Sequence, residues 1–120
     1  MDKIKLGLVE EVELLNSEET KQENVSARID TGAMYSSVDI RIASKLNLGP
    51  IVGYKKVKSA NGNSLRPIVE AKIKIKDKII ETKVTLADRD RMTYSILIGV
   101  NLLNQGFIVD PSVNDKVPRE

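Results

Sequence analysis

A chain of 120 residues, 41% apolar and 30% charged, is of a size for one domain with a shallow core. Its formal net charge of +2 supplies no basic field for nucleic acid or an anionic membrane, and its aromatic residues, Tyr35, Tyr54, Tyr94 and Phe107, are too few for base stacking. Cys and His are both absent, which excludes disulfides, thiol nucleophiles and imidazole bases.

In chain order, residues 3–14 alternate apolar and charged: Ile4, Leu6 and Leu8 on one face, then a phase shift near Val9 or Glu10, then Val12 and Leu14. This reads as one long strand with a bulge or bend. Residues 16–24, NSEETKQEN, lack an apolar stripe and read as an exposed turn. VSARI is a strand with Val25, Ala27 and Ile29 inward, broken by DTGA; YSSV is a short strand. DIRIASKLNLG is a short helix with Asp39 as its cap, Ile42 and Leu46 on one face and Gly49 at its stop.

VGYKKVKSA and LRPIVEAKIKI are strands joined by NGNS, a hairpin turn because Asn-Gly tolerates positive φ. Pro67 argues for an edge position. KDK is a second turn and IIETKVTLA another strand. DRDRMTY is a charged loop, SILIG a short buried strand, VNLLNQG one or two helical turns ended by Gly106, FIVDP a last strand, and a polar tail begins at about residue 111. The sum is one all-β domain over residues 1–120, barrel-like or a folded sheet, with one or two short helices.

No apolar run is long enough to span a membrane and no signal-peptide pattern opens the chain, so the expected location is cytoplasmic. A zinc site would need carboxylates alone, which suit magnesium or calcium better, so no metal and no cofactor is expected. Any acid–base chemistry must come from Asp, Glu, Lys or Tyr.

Asp30-Thr31-Gly32-Ala33 is, by itself, a good turn sequence: Asp bonds its own backbone and Gly takes positive φ. Two further features join it in order. Asn61-Gly62 makes a mid-chain hairpin, and ILIG at 96–99 is an apolar strand ending on Gly, followed by VNLLNQ. This constellation resembles the retropepsin-like aspartic proteases. ARIDTGA, SANG, RPIVEAKI, VTLADRDRMTYSILIG and FIVD together resemble more closely a prokaryotic group labelled ATP-dependent zinc protease and associated with ATP-grasp ligases that add amino acids to proteins. The resemblance spans residues 4–112; nothing in the composition supports the zinc in that label.

The resemblance implies a closed retropepsin-like barrel and an aspartic endopeptidase. One DTG motif is half an active site, because the chemistry uses two carboxylates sharing a proton. A homodimer across a two-fold axis would supply the second. On this reading Asp30 is the acid/base, Thr31 bonds across the interface, and Gly32 lets the backbone come close. Ala33 completes the motif, Ile98 and Gly99 support the loop from behind, and Asn61 and Gly62 sit at the tip of a flap. Arg66 and Arg89 are candidate contacts to the substrate, a peptide or protein that an arginine cluster would favour as acidic. Two positions depart from the retroviral pattern. Met34 and Val100 stand where an Asp–Arg ion pair is usual, and the expectation is an apolar contact in its place. The alternative is a weak or inactive binding or assembly module that keeps the fold.

Overall fold

The computed structural model describes residues 2–60 and 62–114. Six strands close a barrel. β2 (Val9–Leu15) pairs with β3 (Gln22–Ile29), then β8 (Ile96–Ile98), β4 (Ser36–Asp39), β7 (Lys78–Ala87) and β6 (Gly62–Ile75), which returns to β2 through Glu13↔Lys74 to Leu15↔Lys72. β5 (Gly53–Ser59) lies outside, on β6. β1 (Ile4–Leu6) and β9 (Phe107–Val109) form a separate parallel pair. Two short helices, α1 (Ile40–Lys45) and α2 (Val100–Leu103), follow β4 and β8. The all-β barrel with two short helices is the architecture read from the sequence.

Alternation fills the barrel. Val12 and Leu14, Ala27 and Ile29, Val69, Ala71, Ile73 and Ile75, and Ile96 and Ile98 all point inward and are buried. Each fully buried Leu or Ile contributes about 1.5–3 kcal/mol, so an aliphatic core suffices without aromatic mass. The Lys76–Asp77 turn joins β6 to β7 with both residues at positive φ (51° and 69°), as a tight hairpin requires.

Four expectations are corrected. Residues 3–14 are two strands in different sheets, broken at Gly7 and Leu8. Glu10 is one of the groups that hold the break: it is 8% exposed, its carboxylate accepts from Gly7 N at 2.7 Å, and Lys76 Nζ stands 3.3 Å from it. The turn after β2 is shorter than residues 16–24, because Gln22, Glu23 and Asn24 already pair with β2. Asn16 tightens it, its Oδ1 accepting from Thr20 N and Lys21 N at 2.9 and 3.0 Å. Helix α1 stops at Leu46 and Asn47 takes the left-handed turn (φ 54°), two residues before Gly49. The tail's first part is structured: Pro111–Asn114 forms a 3₁₀ turn, and Asn114 accepts from Leu8 N at 2.6 Å and donates to Val9 O at 2.5 Å. A Cβ at Gly7 would strike the Asn114 side chain.

Pro67 sits at a local edge. The β7 ladder begins at Ile68, so residues 62–67 of β6 pair with β5 alone. This free-standing hairpin carries exposed Tyr54 and Leu65.

Candidate active site

Asp30 directly follows β3, where the strand's ladder with β8 runs out. Its amide donates to Ile98 O at 2.9 Å, and its Oδ1 accepts from Gly32 N at 2.8 Å. The loop is held from behind largely by backbone. Val100 N and Asn101 N donate to Ala33 O and Met34 O at 2.8 and 3.0 Å. Gly99 lies flat against this loop: a Cβ there would fall 2.6 Å from Tyr35 O and 2.7 Å from Ala33 O. Among the described residues, Thr31, which is exposed, has no hydrogen-bond partner within the chain.

A hydroxyl and an amide missed in the sequence complete this brace. Ser36 Oγ accepts from Gly99 N at 3.0 Å and donates to Asn101 Oδ1 at 3.0 Å, while Ser36 N donates to the same oxygen at 2.9 Å. Asn101 Nδ2 then reaches Lys83 O at 2.6 Å and Thr82 Oγ1 at 3.1 Å. Strands β4 and β7, Gly99 and α2 are thereby tied together beneath the loop. The only local signal was a serine pair in an otherwise apolar strand.

Arg66 and Arg89 come together with Ala33. They line one cavity of about 260 Å³ between the β5–β6 hairpin, the loop after Asp30 and the 88–94 loop. Arg89 is 9% exposed, and its Nε donates to Tyr94 O at 3.0 Å. Arg66 is half-buried, with no acceptor for its guanidinium among the described residues. Met34 is 68% exposed on the cavity rim. Gly62, at φ 106°, already pairs with Ser59 and opens β6, one step past the turn centre assigned to it; Asn61 lies outside the described residues. A larger, shallow hollow of about 760 Å³, lined by Glu11, Glu13 and Lys74 among others, holds none of these residues.

The 88–94 loop is fastened by Asp39. Its Oδ1 accepts from Arg89 N at 2.8 Å and from Arg41 Nη1 at 2.8 Å, while Oδ2 caps α1 through Arg41 N at 3.1 Å. Burial pushes this carboxyl up, but the hydrogen bonds from Arg89 and Arg41 outweigh burial and leave it below its ordinary value. A carboxylate depressed in the folded state stabilises the fold fully above its unfolded titration range, about pH 4, and loses that contribution as pH falls through the lower folded value. Asp39→Asn is therefore expected to cost about 1–2 kcal/mol at neutral pH, with the gap to the wild type closing below about pH 4. Urea unfolding of both proteins between acidic and neutral pH measures this; a gap that stays constant would exclude the charge as its source.

Among the described residues no three acidic side chains gather as a metal-binding group. No helix among them is long and apolar enough to cross a membrane.

A family model described as "Retropepsin-like aspartic endopeptidase RimB" matches residues 41–120. The chain belongs to the RimB-like family. The match starts beyond Asp30, so it covers the hairpin, the 88–94 loop and the β8–α2 brace but not the DTGA loop itself. Solved structures share the RimB-like fold at low identity. A Legionella pneumophila protein of unknown function matches with TM-score 0.63 and 24% identity, over 92% of this chain and 95% of that one. The EIAV protease, solved with an inhibitor, matches with TM-score 0.60 and 21% identity, over 80% of this chain and 84% of its own. The simian foamy virus protease gives TM-score 0.59 and 15% identity, over 92% and 99%. A probable alpha-L-glutamate ligase from Desulfotalea psychrophila is 28% identical over 65 residues, 53% of this chain. The chain spans about 14% of that ligase's length.

Proposed function

We propose that this RimB-like chain is an aspartic endopeptidase of one retropepsin-like domain, working as a cytoplasmic homodimer. Each copy contributes Asp30 to a shared dyad: one carboxylate draws a proton from water, while the other, protonated, polarises the scissile carbonyl and then protonates the leaving nitrogen. The observation that carries the reading is Asp30 at the mouth of its loop, with Oδ1 fixed by Gly32 N and its second oxygen without a partner among the described residues. The unpartnered Thr31 hydroxyl fits a bond to the second copy. Gly32 admits the close backbone turn, a Cβ there falling 3.1 Å from Asp30 Oδ1. The β5–β6 hairpin serves as the flap.

The substrate in this reading is an acidic peptide segment. Arg66 and Arg89 beside the loop favour carboxylates, and the segment shared with a probable glutamate ligase supports glutamate-rich chains and a working link to such a ligase. The test is sedimentation of the wild type together with cleavage of a peptide library from acidic to neutral pH. A dimer that cuts acidic peptides is the expected result. A folded monomer that cuts nothing at any pH would leave a binding module that keeps the fold.

A further inference from the structure

We infer that Lys55 and Arg66, facing each other across the β5–β6 hairpin, form a two-cation clamp that holds a substrate side-chain carboxylate and so sets specificity beside the Asp30 loop. The inference rests on the acidic-peptide reading above and adds to it Lys55, a residue that the sequence motifs leave unassigned. The register places Lys55 of β5 directly opposite Arg66 of β6. Residues so opposed share one face of the ladder with Cβ atoms about 5 Å apart, and like charges there destabilise the pairing. A fold keeps such a conflict where function asks for it.

No carboxylate within the chain relieves the conflict. Among the described residues Arg66 meets no acceptor, and Lys55 has the Tyr35 ring as its partner, with Nζ 5.0 Å from the ring centroid. Both side chains are half-buried, so each keeps surface open to a ligand. Asp88 and Asp90, the carboxylates of the adjoining 88–94 loop, face Arg41 instead, at 3.1 and 3.9 Å. Arg89 is engaged by Tyr94 O and takes no part in the clamp.

The surroundings fix what the clamp can hold. Alternation turns Lys55 and Val57 toward the cavity of about 260 Å³ together with Arg66, and turns Tyr54 and Leu65 outward. The Lys55 ammonium over Tyr35 brings the clamp toward the segment that follows Asp30. Ala33, Val57 and Leu97 give the cavity apolar walls, and no acidic side chain lines it among the described residues. Such walls suit the methylene stem of a side chain, and the paired cations suit a carboxylate at its end. A carboxylate offsets both positive charges at once; a neutral amide of the same shape offsets neither.

The probes are two end-blocked tetrapeptides, one of glutamate and one of glutamine; blocking removes the terminal carboxylate as a rival anion. Binding is measured to the full chain carrying Asp30→Asn, so that cleavage does not intervene, alone and with Lys55→Gln, Arg66→Gln or Lys55→Arg added. The glutamate peptide is expected to bind at least about tenfold tighter than the glutamine peptide. Lys55→Gln and Arg66→Gln are each expected to weaken it at least about fivefold while shifting the glutamine peptide by less than about twofold. Lys55→Arg, which keeps the charge, is expected to retain the preference. Without peptide, Arg66→Gln is expected to melt at the same temperature or higher, because it gives up no partner and removes the like charge opposite Lys55. Equal binding of both peptides, no glutamate binding at all, a preference untouched by either glutamine substitution, a loss with Lys55→Arg as large as with Lys55→Gln, or a lower melting temperature for Arg66→Gln would each overturn the inference. If the wild type neither dimerises nor cleaves yet the preference depends on Lys55 and Arg66, the endopeptidase reading fails and the clamp stands. Cleavage of acidic peptides that ignores both glutamine substitutions gives the converse.

Discussion

Asp30→Asn is expected to lower peptide cleavage by at least about 10³-fold while leaving the fold intact. In the proposed homodimer the substitution removes the carboxylate from both copies at once, so no proton-sharing pair remains to activate water. The local structure has little reason to change. The Ile98 O contact is made by the backbone amide, and an Asn Oδ1 can still accept from Gly32 N, now at 2.8 Å from the carboxylate. The variant should also dimerise at least as tightly, since no carboxylate pair then has to be brought together at the interface. Steady-state kcat/KM, sedimentation and a thermal melt on both proteins form one experiment. Cleavage retained within about tenfold, with an unchanged melt, would take Asp30 out of the chemistry.

Gly99→Ala carries the largest expected effect on stability, about 3 kcal/mol, or a fall in Tm of about 10 °C for a chain of this size. The new methyl would meet two backbone oxygens at once, Tyr35 O and Ala33 O, at 2.6 and 2.7 Å. Backbone cannot swing aside like a side-chain tip. Ala33 O is also held at 2.8 Å by Val100 N, so the loop can retreat only by giving up that bond. Retreat would move the residues following Asp30, so cleavage should fall further than the loss of folded protein accounts for. Calorimetry with active-site titration separates the two effects. A melt within about 2 °C of the wild type would mean that the loop is looser than its hydrogen bonds imply.

What the sequence revealed was local. Alternation exposed most of the barrel strands, the Asp39 cap lay at its helix start, and the Lys76–Asp77 turn stood between two apolar runs. DTGA was visible because a turn signature is compressed into four residues. What escaped depends on partners distant in the chain. The break at Gly7 arises from Asn114 and an inward Glu10, and an alternating pattern cannot tell an inward Glu from an outward one. The polar start of β3 is a strand because β2 pairs with it, not because of its composition. Ser36 and Asn101 are 65 residues apart and have no joint signature. The resemblance names Arg89, but nothing in DRDRMTY shows that Asp39 and Tyr94 draw it in to 9% exposure.

The clasp between Asn114 and Leu8 has a kinetic consequence. It joins residues 106 positions apart, and the β1–β9 ladder beside it spans nearly as far. Contacts that close so long a loop gain little until the intervening chain is already ordered. The barrel should therefore assemble first and its ends tie last. For the same reason the ends should be the first part to let go, with the Leu8 amide exchanging its hydrogen well before those of β6 and β7.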